Sequence, residues 1–127
     1  MADFTTSIVK VIPTPVLIAN AVGDDLNHRC VYVNPAFESL FGWTLEDIPD
    51  KQAWWFNAYP DPEYQIVVER QWELALETMH LSKEEHVMMK VNIMTKSQKT
   101  VRCKVFAEKL GASFPDHYCV AFVPEHE

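Results

Sequence analysis

Residues 31–48 read VYVNPAFESLFGWTLEDI, and within them the side-chain pattern changes from that of a strand to that of a helix. The β-branched and aromatic residues before Asn34 are typical of a strand. Asn34 is a favoured helix N-cap, and Pro35 suits the first helical position because the N–H that it lacks would have no partner there. Apolar residues then recur at helical spacing up to Gly42, which can end the helix. The stretch therefore predicts a strand followed by a short, capped helix.

The residues before this stretch predict a hairpin and an N-terminal helix. Residues 16–21, VLIANA, have the pattern of a compact apolar strand, and a polar turn leads from them into the strand at residues 30–33. Residues 1–12 have the spacing of a short amphipathic helix, which Pro13 and Pro15 end. We expect its apolar side chains to form a dimer interface; these are Phe4, Ile8, Val11 and Ile12.

The residues after the stretch predict a long helix and three strands. Asp61 can cap that helix, with Pro62 in its first turn. Its apolar stripe, at steps of three and four, comprises Tyr64, Val68, Trp72, Ala75 and Met79. Apolar and polar residues alternate over residues 87–94, 101–108 and 117–123, which indicates an antiparallel sheet with one buried face. Helices on one face of such a sheet define the α+β class.

Length and charge exclude several classes of protein. The 127 residues make one domain, and 11 basic against 18 acidic residues give a net charge of −7. That charge disfavours nucleic acids and anionic membrane surfaces as partners, because no basic field would neutralise phosphates. The three cysteines, Cys30, Cys103 and Cys119, are an odd number and suit reduced thiols in the cytoplasm. We therefore expect a cytoplasmic domain without membrane contact.

The chain resembles a PAS, or sensory-box, domain across most of its length. The resemblance rests on residues 31–48 and on WWFNAYPDPEY, residues 54–64, which lead to Trp72 as in a bacterial subgroup of the family. It implies a five-stranded antiparallel sheet of order 2-1-5-4-3, with helices over one face and a cleft between them. It places the PAS domain at residues 13–124, the N-terminal helix at 1–12 and a C-terminal tail at 125–127.

The resemblance also raises the question of a cofactor. Photosensor members of the family carry a cysteine that reacts with flavin, but the corresponding segment here, DKQAWWFNAYP, has none. Haem-binding members use a histidine, and His80 and His86 fall at or beyond the end of the long helix. His117 and Cys119 would need two further ligands to hold a metal. We therefore expect neither haem nor flavin, no other cofactor, and no metal site.

The aromatic residues are the candidate ligand-binding residues. They either fill the space between helices and sheet or line a cleft for an apolar ligand. Our candidate cleft residues are Phe41, Trp55, Tyr59, Trp72, Met89, Val91 and Cys103. We assign Asn34 and Asp61 to helix capping. No residue is predicted to be catalytic, because the aspartates fall at turns and caps, where carboxylates bind local backbone groups.

These observations predict a signal-sensing PAS domain that is not itself an enzyme. It would bind a small ligand, form a homodimer, or do both, and regulate an effector such as a histidine kinase of a two-component system or a diguanylate cyclase. Two alternatives remain open: a ligand-free PAS interaction module whose aromatic core is full, and a small cone-shaped α+β enzyme such as an isomerase or dehydratase.

Overall fold

The computed structural model describes residues 10–20, 28–82, 86–109 and 116–125, and this part of the chain forms five strands and three helices. Along the chain these are β1 (Val16–Asn20), β2 (Arg29–Val33), α1 (Pro35–Phe41), α2 (Lys51–Ala58), α3 (Pro62–Ser82), β3 (His86–Met94), β4 (Thr100–Lys109) and β5 (His117–Pro124). The helix predicted at residues 1–12 falls mostly outside the described residues.

The strands form one antiparallel sheet of spatial order β2-β1-β5-β4-β3, which confirms the predicted topology. The main core contains apolar side chains of all three helices together with those of one sheet face. The other face carries a smaller cluster around Val16 and Ile18, to which none of the described helices contributes. The helices therefore cover one face, as the α+β class requires.

The helices begin and end where their capping residues predict. The Asn34 side chain accepts a hydrogen bond from the Phe37 N–H at the start of α1. Gly42 ends α1 with a φ of 81°, in the left-handed region that glycine tolerates best. Asp61 caps α3 by accepting the Glu63 N–H at 3.0 Å. Asp50 caps α2 by accepting the Ala53 N–H at 2.8 Å, and α2 carries the aromatic residues Trp54, Trp55 and Phe56.

A β-bulge in β2 changes which of its residues face the core. Ile18 pairs with Tyr32 while the next residue, Ala19, pairs with Cys30, so Val31 has no partner on β1. Without the bulge, Cys30 and Val33 would point to opposite faces. With it, both are buried in the main core, whereas Tyr32 packs on the opposite sheet face. The bulge therefore brings the Cys30 thiol to the helix side of the sheet.

Within the described ranges, no helix is both long and apolar enough to span a bilayer.

Candidate functional site

A cavity of about 40 Å³ lies between helices α2 and α3 and the covered face of the sheet. Most of its wall is aromatic, aliphatic or sulfur-containing: Leu17, Ala19, Cys30, Trp54, Trp55, Tyr59, Trp72, Met89, Val105, Val120 and Phe122. The remaining lining residues are His28, Lys51 and Tyr118, which we call the polar cluster. The volume holds a few water-sized groups, so a ring-sized ligand enters only if side chains move.

A cluster of aromatic rings, which we call the ring cluster, fills the space next to the cavity. The ring of Phe37 lies 4.9 Å from that of Phe41 and 5.3 Å from that of Trp54, measured between centroids. Phe122 lies 5.5 Å from both Phe41 and Trp54. These are the separations of favourable edge-to-face and tilted pairs. Trp54 and Phe122 belong to both the ring cluster and the cavity wall, so their positions set the size of the cavity.

The polar cluster is held together by short contacts. The Nδ1 atom of His28 lies 2.7 Å from the Tyr118 hydroxyl, and the two rings meet edge to face. The Lys51 backbone N–H donates to the His28 carbonyl at 2.7 Å. The Lys51 ammonium lies 4.9 Å from the centroid of the Trp55 ring, within the range of a cation–π contact. A hydrogen-bonded His–Tyr pair and a cation therefore lie beside an otherwise apolar space.

Burial favours the uncharged form of three residues that line the cavity, Lys51, Tyr118 and Cys30. It lowers the pKa of Lys51, although Glu69 and Glu73 on α3 oppose that shift. It raises the pKa of Tyr118 above its ordinary value and, with a smaller contribution from Asp50, raises the pKa of Cys30 to about 12. A thiol that stays protonated at neutral pH is a poor nucleophile. The Cys30 thiol in the cavity wall is therefore not an activated nucleophile.

A comparison with protein families identifies the fold and its role. A family model described as PAS domain matches residues 4–78, which is more than half of the chain. The chain belongs to the PAS domain family. It is accordingly a signal-sensing domain, and this assignment does not favour the cone-shaped enzyme or the ligand-free module. No curated protein matches the chain.

Solved structures of light-oxygen-voltage (LOV) domains share the fold of this PAS domain. The LOV protein of Rhodobacter sphaeroides has a TM-score of 0.67 and 13% identity, over 97% of this chain and 68% of that one. The LOV domain of an Erythrobacter litoralis blue-light activated histidine kinase has a TM-score of 0.62 and 19% identity, over 91% and 99%. A LOV domain studied with a flavin analogue has a TM-score of 0.67 and 18% identity, over 100% and 88%.

The prediction against flavin is wrong. Several solved structures similar in fold to this PAS domain are LOV domains, one of them studied with a flavin analogue. The prediction rested on the missing cysteine in residues 50–60, and that residue type matters only for a covalent reaction. A ring system can bind without it, through stacking and burial.

The cavity lining fits a planar ring system in its chemistry. Trp55, Tyr59 and Trp72 offer aromatic surface, and the polar cluster offers partners for polar groups at a ring edge. The volume of about 40 Å³ has to grow before such a ring enters. Trp54 is the side chain whose displacement would enlarge it most directly, since it stands between the cavity and the ring cluster.

The cavity includes part of the predicted cleft. Four of the seven candidates line it: Trp55, Tyr59, Trp72 and Met89. Phe41 lies in the ring cluster, and Val91 and Cys103 pair across β3 and β4, fully buried in the core outside that lining. Alternation along a strand predicts which residues point inward but not which end of the sheet the cavity occupies.

Sequence reasoning missed several lining residues. Tyr118 could have been found, because it alternates with Val120 and Phe122 on one face of β5. Cys30 and Lys51 could not, since the first depends on the bulge in β2 and the second lies in a segment without a clear period.

The two predicted dimer residues that the structure describes, Val11 and Ile12, are not among the residues that line the cavity. Val11 is 80% exposed, and Ile12 packs against Val16 and Ile18 on the face of the sheet opposite the described helices. Phe4 and Ile8 fall outside the residues that the structure describes. As for metals, the described ranges contain no cluster of three or more His, Cys, Asp or Glu side chains arranged to hold an ion.

Proposed function

We propose that this PAS domain senses a planar, largely apolar small molecule that binds in the cavity between α2, α3 and the sheet. The observation that carries the proposal is the aromatic lining, in which Trp55, Tyr59 and Trp72 surround a space next to a polar cluster. Aromatic walls with a few convergent polar groups are typical of small-molecule sites. The whole signalling activity would belong to a longer protein in which this domain supplies the input.

Binding would act by shifting a conformational population. The Trp72 ring on α3 lies 6.5 Å from the Tyr118 ring on β5, measured between centroids. A ligand that displaces Trp72 therefore alters a contact between the helix layer and a central strand of the sheet. The domain would change its preferred arrangement by no more than the difference in the ligand's affinity for the two arrangements.

The output would pass through a homodimer to an effector. The interface we propose includes Phe4, Ile8, Val11 and Ile12, of which Ile12 packs against the Val16–Ile18 cluster. The effector would be a histidine kinase or a diguanylate cyclase. We place the domain in the cytoplasm, which three cysteines without a disulfide among them support. Its net charge of −7 supports a domain that contacts neither nucleic acid nor membrane.

The test combines native mass spectrometry with a titration. We expect the purified chain to carry extra mass that denaturation removes, or, if it is purified empty, to bind flavin mononucleotide as a first planar probe. Trp72→Ala should weaken that binding about tenfold, because an aromatic contact and its buried area are lost. Trp43→Phe is the matched control, since Trp43 lies outside the cavity lining described above and donates its indole N–H to the Met94 carbonyl.

The proposal has a clear failing outcome. A chain with no extra mass that binds neither flavin mononucleotide nor a neutral apolar dye would be an interaction module with a filled core. Equal weakening by Trp72→Ala and Trp43→Phe would place the binding site elsewhere.

A further inference from the structure

The described residues that line the cavity include basic side chains but no acidic ones. This chain has 18 acidic and 11 basic residues, yet the described residues that line the cavity include no aspartate or glutamate and do include Lys51 and His28. A buried charge is costly unless it is paired, and a lining of this composition offers pairing only to a negative group. The lining therefore discriminates by charge as well as by shape.

Lys51 is held beside the cavity by its backbone and its side chain. It is the first residue of α2, directly after the Asp50 cap, and its N–H donates to the His28 carbonyl at 2.7 Å. Arg29 and Asp50 form an isolated bridge that joins β2 to the start of α2. With the backbone fixed on both sides, the ammonium lies over the Trp55 ring, 4.9 Å from its centroid. A ring that packs beside Trp55 in the cavity would thus have a cation nearby.

Two carboxylates act on Lys51 from outside the cavity. Glu69 and Glu73 on α3 keep the ammonium charged, against the burial that lowers its pKa. Both side chains are exposed, so water screens them from Lys51. Neither glutamate is among the residues that line the cavity, whereas Lys51 is.

We infer that the ligand is a planar aromatic molecule with one anionic group, which binds at Lys51 with His28 and Tyr118 beside it. This inference rests on the proposed function, that the cavity binds a small molecule. The His28 and Tyr118 pair, 2.7 Å apart, adds hydrogen-bonding groups next to the cation. The ring system would occupy the apolar part of the cavity along Trp55 and Trp72, with its acidic group at the polar cluster.

The test uses two dyes with the same rings. 8-Anilinonaphthalene-1-sulfonate carries a sulfonate, and N-phenyl-1-naphthylamine lacks it. Fluorescence titration of the whole chain should show that the sulfonated dye binds at least about tenfold more tightly. Lys51→Met, which keeps the aliphatic stem, should weaken the sulfonated dye about tenfold and leave the neutral dye within twofold. Lys51→Gln should do the same if Lys51→Met folds poorly.

Two further variants test where the dyes bind and whether removing a lysine outside the cavity affects their binding. Trp72→Ala should weaken both dyes, which places them in the cavity rather than on exposed apolar surface. Lys99→Met removes an exposed lysine in the β3–β4 hairpin and should change neither titration.

The outcomes separate the two proposals. If both dyes bind in the cavity and Lys51→Met affects both equally or neither, the inference of an anionic ligand is overturned while the proposed function stands. If neither dye binds, the proposed function fails and the inference fails with it.

Discussion

His28 and Tyr118 lie 90 residues apart in the chain, yet the Nδ1 atom of His28 lies 2.7 Å from the Tyr118 hydroxyl. The contact joins the residue just before β2 to the inner face of β5. Since β1 lies between these strands in the sheet, the pair bridges across it on the cavity side. The hydrogen bond therefore forms part of the cavity wall and also connects the start of β2 to β5 across β1.

Tyr118→Phe tests how much this hydrogen bond contributes to the free energy of unfolding. It keeps the ring that meets Trp72 and removes the hydroxyl, so His28 loses one partner. We expect the free energy of unfolding to fall by about 1 kcal/mol, measured by urea denaturation. Tyr32→Phe, on the opposite face of the sheet, is the control and should cost less than about 0.5 kcal/mol. Equal losses would show that the contact adds no stability.

Asn34 links the start of α1 to the segment before β1. Its side-chain oxygen accepts the N–H groups of Phe37 at 3.0 Å and Val16 at 2.8 Å. Its amide nitrogen donates to the Thr14 carbonyl at 2.9 Å. Because the side chain is fully buried, Asn34→Ala would remove these three hydrogen bonds and leave the Phe37 N–H only its contact with the Asn34 backbone carbonyl, at a cost of about 2–4 kcal/mol.

The control for Asn34→Ala is Asn92→Ala. Asn92 is exposed, and its side-chain oxygen accepts a hydrogen bond from Arg102 at 3.2 Å. Its loss should change the free energy of unfolding by less than about 0.5 kcal/mol. A similarly small effect at Asn34 would contradict its role as a structural link.

Simple alternation would place Val31 and Val33 on the same face of the sheet. Because of the bulge in β2, we expect a charged substitution to be tolerated at Val31 but not at Val33. Val31 is 38% exposed and Val33 is 7% exposed. Val31→Lys should cost less than about 0.5 kcal/mol, whereas Val33→Lys should cost several kcal/mol or prevent folding, because it buries an unpaired charge. Thermal unfolding of the two variants checks this. Similar melting temperatures would mean that β2 has no bulge in solution.

The buried thiols predict how stability depends on pH. Burial raises the pKa of Cys30 to about 12 and that of Cys103 to about 11, from 9.0. Above pH 9 the unfolded chain therefore loses thiol protons that the folded chain retains, so stability is fully present below pH 9 and falls as the pH rises towards 12. Urea midpoints at pH 8, 9 and 10 should decrease in that order. Cys30→Ala should flatten the decrease, and a midpoint that rises with pH would contradict the assignment.

The same shifts predict low thiol reactivity. The thiolate is the form that iodoacetamide attacks, and burial raises the pKa of all three described cysteines, Cys30, Cys103 and Cys119. Mass spectrometry should find the folded chain largely unmodified at pH 8 and three modified cysteines after unfolding in urea. Rapid modification of Cys30 in the folded chain would show that the cavity opens readily to solvent.

The candidate site was only partly predictable. Trp55 and Trp72 were found because aromatic residues beside a capped helix point to the helix–sheet interface. Val91 and Cys103 share the alternation of Met89 and equally face the core, but only Met89 reaches the cavity. The difference depends on where α2 and α3 cross the sheet, which no pattern within a strand records. Lys51 was missed because it lies in a segment without a clear helix or strand period.

By itself the sequence determined the local structure of this protein. Asn34, Gly42 and Asp61 set helix ends through bonds to residues a few positions away, and alternation in β3 to β5 selected the inner faces. The tertiary structure alone decided the bulge that turns Cys30 inward and the contact of His28 with Tyr118. Capping and alternation act within one element, where spacing suffices to predict them. A cavity forms between elements, so its lining depends on how they pack against one another.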